Sequence, residues 1–218
     1  MIENIQLHHF ADASEGGYGT VTYIHMSNTS GNIQVSLLLG KARVTPLKAV
    51  TIPRLELTAA VLAVRVDAML RAELKLKRSH SVFWTDSTSV LKYINNEDKR
   101  FHTFVANRIT AIRDASEPSQ WRHVRTQDNP ADEASRGLKV TDLLKNDRWL
   151  EGPAFLWRNE EDWPKAVLDI TMDSSDEEVR REETVNAINI YDASNPTDHL
   201  IVYFSDWRRL KTAVAWFF

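Results

Sequence analysis

Four carboxylates, each at the edge of a regular segment, constrain this chain more than any other feature of it. They are Asp12 in Phe10-Ala11-Asp12-Ala13-Ser14, Glu56 in Pro53-Arg54-Leu55-Glu56-Leu57, Asp86 in Phe83-Trp84-Thr85-Asp86-Ser87, and Asp132 in Asp128-Asn129-Pro130-Ala131-Asp132. Asp12 and Asp86 each follow a short apolar run, which places them at strand ends. Glu56 and Asp132 each follow a proline of the kind tolerated in a first helical turn. Two strand ends and two helix starts can meet at one point. Carboxylates that meet cannot all stay ionised unless positive charge lies between them. Mg²⁺ or Mn²⁺ suits such an all-oxygen set, and a pair of these ions makes a centre that cleaves phosphodiesters. Singly, each acid has an ordinary explanation: Asp12 as a turn residue, Asp86 as a helix cap, Glu56 and Asp132 as acids favoured by a helix dipole. Their occurrence together is what argues for chemistry.

The segments around them read as an ordered α/β domain. Residues 5–11 form a strand ending at Asp12, Tyr18 to Met26 alternates as a second, and Ile33 to Val44 reads as a third, so the three make an antiparallel meander. Ile52-Pro53-Arg54 opens a long helix with Leu55, Ala59, Leu62, Ala63, Val66 and Leu70 on one face. Ser81 to Thr85 is a short apolar strand, and Asp86-Ser87-Thr88-Ser89 caps a helix running to about Ile94. A further helix spans Phe101 to Ala115, a fifth strand Gln120 to Arg125, and a last helix runs from Pro130 to its stop at Gly137. The order βββαβααβα predicts a mixed five-stranded sheet, three strands antiparallel and then two parallel, flanked by helices. In such sheets sites form at strand ends where the topology switches.

Domain limits follow from where this pattern stops. Residues 1–140 hold the α/β domain and 141–165 a packing extension around Trp149 to Leu156. Residues 166–197 form a linker whose charged stretch, Asp173 to Glu183, is expected to be solvated, and 198–218 are apolar and aromatic again, with a helix over Trp207 to Phe218.

Charge divides the same way. The chain has 218 residues and a net charge of −3, but residues 1–139 carry 18 Lys and Arg against 14 Asp and Glu, whereas 140–218 carry 9 against 16. A modestly basic surface around a metal site suits a polyanionic substrate. With no cysteine, a disulfide scaffold, Cys-ligated zinc and a thiol nucleophile are excluded. Met1-Ile2-Glu3-Asn4 lacks the basic and apolar parts of a signal peptide, and no apolar run reaches the roughly 20 residues that span a bilayer. An intracellular, cytoplasmic chain with no membrane partner is expected.

Read together, these residues resemble the ribonuclease H fold and its acidic tetrad. The strings Phe-Ala-Asp-Ala-Ser, Thr-Ile-Pro-Arg-Leu-Glu-Leu, Trp-Thr-Asp-Ser and Asn-Pro-Ala-Asp-Glu-Ala-Ser-Arg-Gly look like the ribonuclease H region of BEL/Pao-type retrotransposon polyproteins. So do Lys41 to Leu47 and Trp149 to Leu156; Phe204 to Leu210 resembles the connector toward an integrase. The resemblance implies cleavage of the RNA strand of an RNA/DNA hybrid during reverse transcription. It implies two Mg²⁺ ions, replaceable by Mn²⁺, held by Asp12, Glu56, Asp86 and Asp132, with Asp12 bridging. It also implies a reverse transcriptase domain upstream and an integrase downstream, in a virus-like particle where the element is intact; a fragment or domesticated remnant of such a polyprotein is expected. Ser14, Thr51, Arg54, Ser87 and Asn129 lie beside the tetrad and are candidate substrate contacts, although Asn129 is expected rather to fix the turn before the last helix.

Two departures matter. The catalytic histidine that cellular relatives carry on a mobile loop is missing, because His123 falls on the fifth strand; this implies slower turnover. The basic helical protrusion with which some relatives grip the hybrid is also not evident. The alternative function is an idle domain of the same fold that only tethers its neighbours, although a spacer has no need of four clustered acids. An aspartic peptidase would require Asp-Thr/Ser-Gly loops, and the sequence has none. A DNA-recombining nuclease of related fold would place its essential Glu late rather than in the first long helix. His8-His9 reads as a surface pair, since no third ligand has metal-site spacing. Trp84, Trp121 and Trp149 read as core residues.

Overall fold

The computed structural model describes residues 2–75, 79–165, 171–173 and 175–180, with Tyr203 and Lys211. Residues 1–180 form one compact unit and 181–218 another. The apolar segment expected over 198–218, its helix and its connector therefore lie outside the described residues but for those two positions. Among the described residues no helix is long and apolar enough to cross a membrane.

Three long strands open the domain: β1 (Ile2–Ala13), β2 (Gly17–Asn28) and β3 (Ile33–Val44). The turn between β1 and β2 closes with Ser14 N–H on the Gly17 carbonyl at 2.7 Å. That between β2 and β3 uses Gly31 at φ 78°, backbone that side-chain-bearing residues rarely adopt. α1 (Ile52–Glu73) follows, starting at the proline-marked position, and each of its six expected face residues is buried. Then come β4 (His80–Thr85), α2 (Thr88–Asn95), α3 (Thr103–Arg113), β5 (Trp121–His123) and α4 (Ala131–Arg136). Two short helices, α5 (Val140–Leu143) and α6 (Asp147–Glu151), lie in the extension.

The five strands make one sheet in the order β3-β2-β1-β4-β5, with β1 antiparallel to β2, β2 antiparallel to β3, β1 parallel to β4 and β4 parallel to β5. This is the expected mixed sheet, with β1 at its centre. β5 is shorter than the expected Gln120 to Arg125, because Thr126–Asp128 already winds into a 3₁₀ turn.

Both faces of the sheet are covered. Alternate side chains point to opposite faces, so Ala11, Phe83 and Trp121 pack under α1, α2 and α3 while Phe10, Val82 and Trp84 pack under Leu156 and Trp163 of the extension. Gly40 admits the Trp149 ring so closely that a Cβ there would lie 2.8 Å from it. The acidic stretch is not simply solvated: Glu178 and Val179 are buried, and Val179 pairs with Phe101 as an isolated bridge.

Coverage of both faces also corrects the reading of His8-His9 as a surface pair, since both rings are fully buried. His8 accepts from Trp84 Nε1 at 3.0 Å through Nδ1, and its Nε2 lies 3.2 Å from Gln6 Oε1. A second proton would set an Nδ1–H against the indole N–H, so this pocket fits only the neutral ring. His9 bridges Thr22 Oγ1 at 2.8 Å and Asp67 Oδ1 at 3.0 Å. Burial raises the Asp67 carboxyl, but His9, Ser81 and Arg71 outweigh it and hold the group below its ordinary value. Burial lowers the pKa of both imidazoles, against the pull of Asp67 in the case of His9. The unfolded chain therefore takes up more protons below about pH 6.5 than the native one, and the stability these groups provide above that pH is lost as it falls. Chemical denaturation at pH 7.5 and pH 5 should show a loss of about 2 kcal/mol for each imidazole held neutral. Imidazole NMR signals of His8 and His9 that titrate at or above about pH 6.5 in the folded protein would contradict the assignment.

Candidate active site

The sheet topology brings the four acids to one edge. β1 and β4 run side by side in parallel with Ala11 opposite Thr85, so Asp12 and Asp86 occupy equivalent positions at neighbouring carboxyl ends. Adjacent strands lie about 4.8 Å apart. Asp12 is still within β1, one residue before its end, and is buried. Glu56 is the fifth residue of α1, which starts at the same edge, and Asp132 is the second residue of α4.

Each acid is held by its own donor. Asp12 accepts from Ser135 Oγ in a short hydrogen bond, and Glu56 accepts from Ser87 Oγ at 2.6 Å. Asp86 accepts from Asn129 Nδ2 at 3.2 Å, and Asp132 pairs with Arg136 Nε at 2.5 Å. The acids also sense one another. Burial first, and then the charges of Asp86 and Asp132, raise the Asp12 pKa to about 6 despite the Ser135 bond. Burial and then Asp86 raise that of Glu56, against the pull of Ser87. Repulsion therefore links all four groups, with Asp86 common to both shifts.

Among the described residues no three carboxylates or imidazoles stand in ready-made metal-binding geometry. Each acid instead rests on its own hydroxyl, amide or guanidinium. The donor set is all oxygen, and two of its members are raised by burial and by their neighbours. Those are the conditions a hard divalent ion relieves, so the residues fit such a group.

The flanking candidates divide. Asn129 is fully buried, donating to the Ala11 carbonyl and to Asp86, both at 3.2 Å, while its Oδ1 accepts from Ala131 N–H at 3.1 Å. It ties β1, the end of β4 and the start of α4 together. Within the Asp86-Ser87-Thr88-Ser89 string it is Ser87 that caps α2, accepting from Val90 N–H at 3.2 Å while donating to Glu56. Ser87→Ala should therefore cost about 1 kcal/mol in stability and raise the Glu56 pKa further; an NMR titration that leaves Glu56 unmoved would contradict this. Ser14 is spent on its own turn and on the Ser135 carbonyl at 2.8 Å. Thr51 is exposed at the start of α1 with no capping bond from its side chain. Arg54 is forked onto Glu178, Nε to Oε1 at 2.6 Å and Nη2 to Oε2 at 3.0 Å. His123 ends β5 opposite Thr85, on the strand and not on a loop.

Sequence reasoning missed Ser135, Arg136 and Glu133. Ser135 and Arg136 sit three and four residues after Asp132 on one helix, a spacing that faces side chains together. Glu133 anchors α4 to the extension by accepting from Arg148 and from Asn146 Nδ2 at 2.8 Å, a link with no local signal.

Comparisons with known proteins find similarities among solved structures and to one family model. No curated protein matches the chain. Among solved structures, the N-terminal RNase H domain of Rv2228c from Mycobacterium tuberculosis is 14% identical, with a TM-score of 0.38, covering 61% of this chain and 95% of its own. RNase H1 of Halobacterium salinarum is 12% identical, with a TM-score of 0.39 and coverage of 62% and 100%. LC11-RNase H1, crystallised in complex with an RNA/DNA hybrid, is 14% identical, with a TM-score of 0.42 and coverage of 64% and 99%. A family model described as the Pao retrotransposon-like RNaseH-like domain matches residues 1–87, the stretch that holds Asp12, Glu56 and Asp86. Residues 1–87 are thus similar to the family that the chain's motifs resemble.

Proposed function

We propose that this protein is a metal-dependent endoribonuclease that degrades the RNA strand of RNA/DNA hybrids during retrotransposon reverse transcription. The observation that carries the reading is the linked set of Asp12, Glu56, Asp86 and Asp132 at one sheet edge, with Asp12 raised to about 6 by burial and by two of the others. A spacer gains nothing from that repulsion. Asp12, Glu56, Asp86 and Asp132 would hold Mg²⁺, or Mn²⁺ in its place. Bound there, the ions supply a water made nucleophilic at neutral pH and charge stabilisation at the leaving 3′ oxygen.

The chain's own groups do the positioning. Ser135 fixes the Asp12 carboxylate, Ser87 that of Glu56 and Asn129 that of Asp86, so three acids keep one orientation before substrate arrives. Arg136 balances Asp132 from an exposed position. Selection of the hybrid over duplex DNA would come from contacts to 2′-hydroxyls across the minor groove of an A-like helix. The reading also carries an intracellular setting, with reverse transcriptase and integrase domains as neighbours in a polyprotein.

The idle-tether alternative draws on one observation, the lack of a ready-made metal cage among the described residues. A labelled-substrate panel decides between them: RNA/DNA hybrid, single-stranded RNA and duplex DNA, each with Mg²⁺, Mn²⁺ or chelator. The nuclease cuts only the RNA of the hybrid, and only with metal. A folded protein that binds the hybrid and leaves it intact under every condition is the tether.

A further inference from the structure

A groove of about 220 Å³ lies between α1 and the β2–β3 hairpin. Lys41, Arg43 and Arg65 line it together with Tyr18, Thr58 and Met69, and no acid does. Arg108 borders it from α3, donating through Nε to Thr58 Oγ1 at 3.1 Å, with its guanidinium 3.4 Å from the Phe104 ring centroid. Among the described residues none of these four cations forms an ion pair. Burial lowers the Arg108 pKa, and Arg54 and Arg65 lower it further against Tyr18, so the guanidinium groups repel one another. Like charges gathered without counter-charge destabilise a fold, and a polyanion relieves that cost.

The groove also lies within the width of a duplex from the acids. Arg43 pairs with Tyr18, and Tyr18 with Ala13, so Arg43 stands two strands from the end of β1, or about 10 Å. Arg65 lies nine residues beyond Glu56 along α1, or about 14 Å. Arg54, a neighbour of the cluster, already holds an anion. Arg54 shares the Phe104 ring with Arg108, its guanidinium 5.0 Å from the centroid, and it holds the Glu178 carboxylate in a two-pronged grip. That fork fits a phosphate equally well.

We propose that the groove lined by Lys41, Arg43 and Arg65 and bordered by Arg108 binds the phosphodiester backbone of one strand of the nucleic-acid duplex, outside the cleavage site. The proposal rests on the nuclease reading and adds the surface that holds the substrate where no basic protrusion exists. Arg43 and Arg65 are exposed, so replacing both leaves the fold intact. Fluorescence anisotropy of the full chain with an RNA/DNA hybrid, in chelator to prevent cleavage, is measured over a range of salt. Arg43→Ala with Arg65→Ala should weaken binding about tenfold at low salt and reduce the slope of log K against log salt by about two. Arg158→Ala, in the extension, should change neither. A wild-type chain that binds hybrid and a double variant with the same affinity and slope would overturn the groove alone. A wild-type chain that neither binds nor cleaves hybrid would overturn the nuclease reading, and the groove with it.

Discussion

Asp12→Asn is expected to lower hybrid cleavage by about a thousandfold or more while making the metal-free protein more stable at neutral pH. The first effect follows from the position of Asp12, which sits at the end of the central strand and senses both Asp86 and Asp132. The second follows from the sign of its shift. Its folded pKa of about 6 lies above the ordinary 3.8, so between these values the native state holds a proton that the unfolded state has lost. The Asp12 contribution to wild-type stability therefore declines as pH rises through that window and stays lower above it. Asn cannot ionise and escapes the decline, worth about 2–3 kcal/mol at most. Denaturation in chelator at pH 4 and pH 7.5 checks it: the variant's advantage should open as pH rises. An advantage that is the same at both values would mean that neither burial nor the neighbouring acids raise the Asp12 pKa.

Asn129→Ala should have the opposite signature, losing both stability and rate. Its side chain makes three hydrogen bonds at a fully buried position, and truncation strands the Ala11 carbonyl and the Ala131 N–H away from water. Lost bonds and buried unpaired groups of this kind cost about 2–4 kcal/mol together. Release of Asp86 from its donor should lower kcat about ten- to hundredfold. KM for the hybrid should stay near the wild-type value, because Asn129 positions an acid and does not face substrate. A variant with normal kcat and reduced stability would make it a purely structural residue.

What the sequence revealed and what it hid follow from how local the determinants are. β3 has the limits its alternation predicts, and α1 begins at its proline, because period and turn chemistry are written in adjacent residues. The four acids were legible because each stands at an element's edge. His8 and His9 were misread because alternation presumes one wet face, whereas β1 is central in a sheet covered on both sides. Within the capping string Asp86 to Ser89 it is Ser87 that caps α2, which leaves Asp86 to Asn129. Glu178 was hidden in a charged stretch; its partner Arg54 lies 124 residues away, and no local pattern reports such a contact.

The central claim is that four acids act as one divalent-cation site, and thermal unfolding with and without Mg²⁺ tests it most directly. Wild-type protein and the Asp12→Asn variant are compared at pH 7.5, with NaCl matched for ionic strength. A ligand that binds only the native state stabilises it in proportion to the logarithm of its saturation. Mg²⁺ and Mn²⁺ should therefore raise the wild-type Tm, with little effect on the variant. Equal shifts in both proteins, or none in either, would contradict the account.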